Sequence, residues 1–114
     1  MCNTEQAIAI LGETYRACNR VFEKKICDAY LYGSYARGDF HEDSDVDIFL
    51  TVDVPREELS PYYDAVSGVC NDLSLKYDVL ISPAVEPVNQ FRRYQEVLPY
   101  YQNVVSEGIR YAAG

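Results

Sequence analysis

Gly33-Ser34-Tyr35-Ala36-Arg37-Gly38-Asp39-Phe40-His41-Glu42-Asp43-Ser44-Asp45-Val46-Asp47 joins a turn of small residues to two aspartates placed two apart, at the head of the apolar run Ile48-Phe49-Leu50. Glycine lets a backbone come close to a ligand, and exposed N–H groups with a serine hydroxyl can donate to phosphate oxygens. Arg37, one helical turn along, can add a charged contact to the same phosphates. On a strand, Asp45 and Asp47 leave one face, with Cα atoms roughly 6.5 to 7 Å apart. Carboxylates converging from that separation can share one Mg²⁺ or bridge two ions about 3.5 to 4 Å apart. Each half also has a plainer reading. Gly-Ser alone is an ordinary strand-to-loop turn, and Asp-x-Asp alone is a solvated acidic stretch that Glu42 and Asp43 extend.

Joined, the halves say more. Ten residues separate Ser34 from Asp45, which lets the flanking strands lie side by side with the turn and the carboxylates at one end of the sheet. A cradle for a triphosphate beside carboxylates that hold Mg²⁺ is the minimal equipment for nucleotidyl transfer.

Outward from this stretch, the apolar pattern predicts a small domain. Ile8, Leu11, Tyr15, Cys18 and Phe22 recur at three- and four-residue steps after a capping Asn3 or Thr4, predicting a helix over about residues 4–24. Residues 26–32 and 46–54 read as strands, the second closed by Pro55. Ser60-Pro61 is a helix start, continued by Tyr62, Val66, Val69 and Leu73. A third strand is predicted over Tyr77 to Ile81, ended by Ser82-Pro83, and residues 85–93 as irregular or a short helical turn. Leu98, Tyr101, Val105 and Ile109 mark a last helix with Pro99 near its start. The order α-β-β-α-β-α predicts an α/β (α+β) fold: a small mixed sheet of three or slightly more strands flanked by helices.

The 114 residues predict one domain spanning 1–114. Ten basic residues against eighteen acidic ones leave a net charge of -8, which argues against direct binding to a nucleic-acid backbone and suits a basic protein partner. Cys2, Cys18, Cys27 and Cys70 show no Cys-x-x-Cys spacing, so neither a zinc site nor a redox pair is expected. No apolar run reaches membrane-spanning length and no basic-then-apolar leader is evident, so a cytoplasmic protein is expected.

The wider pattern Gly-Ser-x-Ala-Arg-Gly-x5-Ser-Asp-x-Asp, at Gly33, Ser34, Ala36, Arg37, Gly38, Ser44, Asp45 and Asp47, resembles the minimal nucleotidyltransferases of the polymerase-β-like superfamily. The resemblance runs on through Tyr101-Gln102-Asn103-Val104-Val105-Ser106-Glu107-Gly108-Ile109, similar to that family's last helix. It implies a nucleotidyltransferase fold and transfer of AMP from ATP to a hydroxyl, with Asp45 and Asp47 holding Mg²⁺ (two ions) and Gly33, Ser34, Arg37 and Ser44 on the nucleotide. It also implies a third carboxylate on a later strand, Asp78, as a metal ligand or as the base for the attacking hydroxyl.

Family members of this size are typically antitoxins of small helical HEPN-domain ribonucleases, so the implied acceptor is a tyrosine of such a toxin. Two alternatives stay open: an antitoxin that neutralises its partner by contact alone, and a small-molecule (aminoglycoside-like) nucleotidyltransferase completed by a partner subunit. Homo- or hetero-oligomers suit any of these. Among other residues, His41 and Arg92-Arg93 are expected at the surface. Tyr62-Tyr63 and Tyr100-Tyr101 should each place one ring in the core and one outside, and one of these rings could stack on a base.

Overall fold

The computed structural model describes residues 2–111. Helix α1 (Thr4–Val21) leads into β1 (Ile26–Tyr32), a single helical turn α2 (Ser34–Arg37) and β2 (Val46–Val52). Two 3-10 turns, Arg56–Glu58 and Ser60–Tyr62, reach α3 (Tyr63–Tyr77). Then follow β3 (Ile81–Pro87), α4 (Val88–Tyr94), α5 (Pro99–Glu107) and β4 (Ile109–Arg110). The strands form a mixed sheet in the order β3-β2-β1-β4; β2 and β3 run parallel and the other pairs antiparallel. This is the expected α/β class, with β4 added at the edge. Among the described residues no helix is long and apolar enough to cross a membrane.

Side chains alternate across the sheet and so define two cores. Ala29 and Leu31 of β1 and Val46, Ile48, Leu50 and Val52 of β2 pack with Ile10, Leu11, Cys18, Val66 and Cys70 of α1 and α3. On the other face Tyr30 and Phe49 meet Phe91 of α4 and Tyr101 and Val104 of α5. Asp47, two residues before Phe49, belongs to this second face. Tyr101 is buried while Tyr100 is exposed, and Tyr62 stacks on Phe22 while Tyr63 is exposed, as the tyrosine pairs predict.

Helix α1 is shorter than its apolar repeat suggests, and rotated. Ile8 is exposed and Ala7 takes the buried position. The helix stops at Val21 because Glu23 and Lys24 adopt left-handed backbone (φ 54° and 68°), reversing the chain into β1. Its start is capped: the Asn3 side chain accepts from the Gln6 N–H at 2.8 Å. Replacing Asn3 by Ala leaves that N–H to water and is expected to cost about 1 kcal/mol. Urea unfolding would show it as a lower midpoint at unchanged slope.

The third strand is displaced from its expected place. Tyr77, expected to open it, is the last residue of α3, and Asp78 caps that helix in the left-handed conformation (φ 53°, ψ 46°). The strand begins at Ile81, where Ser82-Pro83 was expected to end it. Proline lacks the N–H that an inner strand needs, but β3 is an edge strand and needs hydrogen bonds on one side only. Pro83 lies opposite Ile48 in the parallel ladder and is exposed. Residues 85–93, expected to be irregular or a short helical turn, complete β3 and form all of α4 but its last residue. The second strand closes at Val52, two residues earlier than its apolar run suggests.

Candidate active site

Register brings the two halves of the motif together. Tyr32, the last residue of β1, lies directly opposite Asp47 of β2, so the chain leaving β1 at Gly33 turns beside that carboxylate. Gly33 has φ 77° and ψ -155°, a region open essentially to glycine alone. A Cβ on Gly33 would also run into Asp47 Oδ2. Both facts require a residue without a side chain. The turn that follows is short because Gly38 ends it in the left-handed region. It is anchored by Tyr35, which is buried, stacks on Phe40 with ring centroids 4.6 Å apart, and accepts from Thr4 Oγ1 through its backbone carbonyl.

Asp45 sits at the head of β2, outside its first ladder residue. The next residue, Val46, donates its N–H to the Leu80 carbonyl at 2.8 Å. Ser82 Oγ donates to Asp45 Oδ2 at 3.3 Å, and Ser82 lies opposite Asp47 in the β2–β3 ladder. Ser44 braces the loop before them: its Oγ accepts from the His41 N–H at 2.9 Å. Burial, and after it the neighbouring Asp45, raise the Asp47 pKa above the usual carboxylate value, while Arg37 acts in the opposite sense. Arg37 reaches Asp39 at 3.2 Å and Glu107 at 3.5 Å, and Asp39 above all raises its pKa.

Two cavities flank the aspartate pair. One, of about 380 Å³, is lined by Tyr32, Gly33, Ser34, Arg37, Asp47, Tyr100, Asn103 and Glu107. It unites the small-residue turn, the arginine and one aspartate. The other, of about 390 Å³, is lined by Ser44, Asp45 and Asp78 with Glu42, Asp43 and Leu80. Asp78 therefore shares a cavity with Asp45 and not with Asp47. It comes from a helix cap where a strand position was expected. Among the described residues, no group of three or more His, Cys, Asp or Glu side chains forms a metal site.

Mg²⁺ still fits the pair. Two carboxylates are hard oxygen donors, and Asp47 is partly buried beside a like-charged neighbour, an arrangement that a cation relieves. Magnesium is commonly held by one or two carboxylates, with phosphates and water completing its shell.

A family model described as the nucleotidyltransferase domain matches residues 16–111. The chain belongs to this nucleotidyltransferase family. Two Methanocaldococcus jannaschii proteins that share the name "Putative protein adenylyltransferase" are similar to it. One is 36% identical over 106 residues, covering 93% of this chain and 95% of the relative. The other is 35% identical over 82 residues, covering 70% and 79%.

Two solved structures share the fold at 18% identity. They are a mutant of the toxin–antitoxin MntA-HpeT (TM-score 0.52; 96% of this chain, 72% of that one) and a toxin–antitoxin with AMP-PNP (TM-score 0.51; 83% and 69%). The minimal nucleotidyltransferase resemblance of the Gly33–Asp47 motif agrees with these matches.

The cavity at the Gly33 turn also contains residues that the motif does not reveal. Tyr100, Asn103 and Glu107 line it from α5. Their spacing, three and then four residues, is the signal that they share one helix face. What the sequence hides is that this face crosses the sheet at the Gly33 end. Ser82 was likewise hidden, because the strand carrying it was expected to have ended.

Proposed function

We propose that this nucleotidyltransferase transfers AMP from ATP to a hydroxyl of a partner protein, a tyrosine of a HEPN-type toxin, with release of pyrophosphate as the α–β phosphoanhydride bond breaks, and so acts as its antitoxin. The observation that carries the reading is the Tyr32–Asp47 register, which sets the Gly33-Ser34 turn against the aspartate pair. The M. jannaschii relatives named as protein adenylyltransferases support a protein acceptor. The toxin–antitoxin neighbours, one with AMP-PNP, support a partner and an adenine nucleotide. The tyrosine and the HEPN partner rest on the family resemblance.

Asp45 and Asp47 would hold Mg²⁺, which when bound neutralises triphosphate charge and makes an attacking hydroxyl more acidic. The chain's own residues then position the reactants. The N–H groups that open α2 have no partner within that turn and can donate to phosphate oxygens, as can Ser34 Oγ. Arg37 adds a charged donor once it leaves its acidic partners. Ser44 and Ser82 fix the loop and the Asp45 carboxylate, which keeps the α-phosphorus aligned for attack. Asp78, which lines the cavity on the Asp45 side, would accept the proton of a hydroxyl arriving through it.

The Arg37–Glu107 contact competes with a nucleotide for the guanidinium. Glu107→Gln is therefore expected to lower the KM for ATP about two- to fivefold, the scale of an exposed ion pair. Initial-rate kinetics would check it, and a raised KM would assign Glu107 to substrate binding instead.

The direct test is to incubate the purified protein, its co-purifying partner, ATP and Mg²⁺, and weigh the partner. Addition of one or more AMP units is expected. An unchanged mass beside a neutralised partner would favour inhibition by contact.

A further inference from the structure

We propose that α5 forms the base-reading wall of the cleft, with Tyr100 as the stacking platform and Asn103 as the residue that selects adenine. This rests on the nucleotidyltransferase reading and deepens it by naming how the nucleotide is chosen. If the phosphates lie on Gly33, Ser34 and Arg37, the rest of the nucleotide must extend along the remaining wall of the same cavity. Besides Asp47, that wall is Tyr100, Asn103 and Glu107 of α5, with Tyr32.

Tyr100 is built as a platform. Its hydroxyl is 3.0 Å from that of Tyr32. Its ring centroid lies 5.9 Å from Tyr32, 5.7 Å from Phe49 and 5.7 Å from Tyr101, at interplanar angles of 59°, 86° and 38°. These contacts grip the ring edge-on or at a tilt. Among the described residues no parallel ring covers its face, and the residue is 42% exposed. A ring already immobilised loses little freedom when a base stacks on it.

Asn103 lies one helical turn beyond Tyr100, is exposed, and borders the same cavity. Its carboxamide offers one acceptor and two donors. The Hoogsteen edge of adenine offers the N6 donor and the N7 acceptor, a bidentate match, whereas guanine shows two acceptors there. The carboxamide therefore favours ATP over GTP.

Calorimetric titration with ATP, GTP and CTP, each with Mg²⁺, would be run on the wild type, Asn103→Ala, Tyr100→Phe and Tyr100→Ala, with melting temperatures alongside. The wild type should prefer ATP. Asn103→Ala should lose about tenfold of the ATP-over-GTP preference, the size of a bidentate base contact. Tyr100→Ala should weaken all three nucleotides about tenfold, as loss of a stacking partner does, with Tyr100→Phe between it and the wild type. An unchanged ATP-to-GTP ratio in Asn103→Ala would overturn the assignment while leaving the transferase reading intact. Absence of nucleotide binding by the wild type would overturn the transferase reading itself. Asn103 is an exposed helix residue, so its variant remains informative even if Tyr100→Ala fails to fold.

Discussion

Asp47→Asn should reduce AMP transfer at least about a thousandfold and leave the protein folded. A carboxylate that helps bind the cation and meets the charge developing on the phosphates carries several kcal/mol of the barrier, and an amide cannot replace it. The same substitution should not lower stability at neutral pH without metal. The Asp47 pKa is raised in the folded chain, first by burial and then by Asp45. Its contribution to stability is therefore present in acid, below the ordinary carboxylate pKa, and is lost as pH rises through the raised value. Asparagine removes that loss. Thermal melts of the two proteins across pH 3 to 8 should show the wild type falling relative to the variant on the way up. A variant much less stable than the wild type would contradict this account of the site.

Gly33→Ala should damage both the fold and the chemistry. Alanine is strained at φ 77° and ψ -155°, at a cost of about 1 to 3 kcal/mol. Its Cβ would also press on Asp47 Oδ2, so relief must come from moving the turn or the carboxylate. For a domain of this size the strain corresponds to a fall in melting temperature of about 5 °C or more. Transfer should drop by more than stability alone explains, because either movement separates the phosphate cradle from the aspartate pair. Full activity in a destabilised Gly33→Ala protein would show that the turn serves the fold and not the reaction.

The central part of this site could be read from the chain because its constraints are local. The required glycine, the helical turn ending at Gly38 and the two aspartates lie within fifteen residues, and their spacing already implies neighbouring strands. What could not be read depends on tertiary position. From sequence Pro83 reads as the end of a strand, since nothing local shows that β3 lies at an edge where a missing N–H is harmless. Moving that strand changes two roles at once. Ser82, beside the aspartates, becomes a donor to Asp45, and Asp78 moves to a left-handed helix cap in the cavity on the Asp45 side. The α5 wall was hidden for the same reason. Helical spacing groups Tyr100, Asn103 and Glu107, but only the packing of Tyr101 and Val104 onto Phe49 and Phe91 turns that face toward Gly33.

Co-crystallisation with Mn²⁺ and a non-hydrolysable ATP analogue would test the single-site account most directly, because manganese can be located by its anomalous scattering. The expected result is a manganese peak between the Asp45 and Asp47 carboxylates, with the phosphates on the Gly33-Ser34 turn. A nucleotide seated instead in the cavity of about 550 Å³ at the far end of β2 and β3, lined by Arg56, Asn89 and Arg93 among others, with no metal at the aspartates, would contradict it.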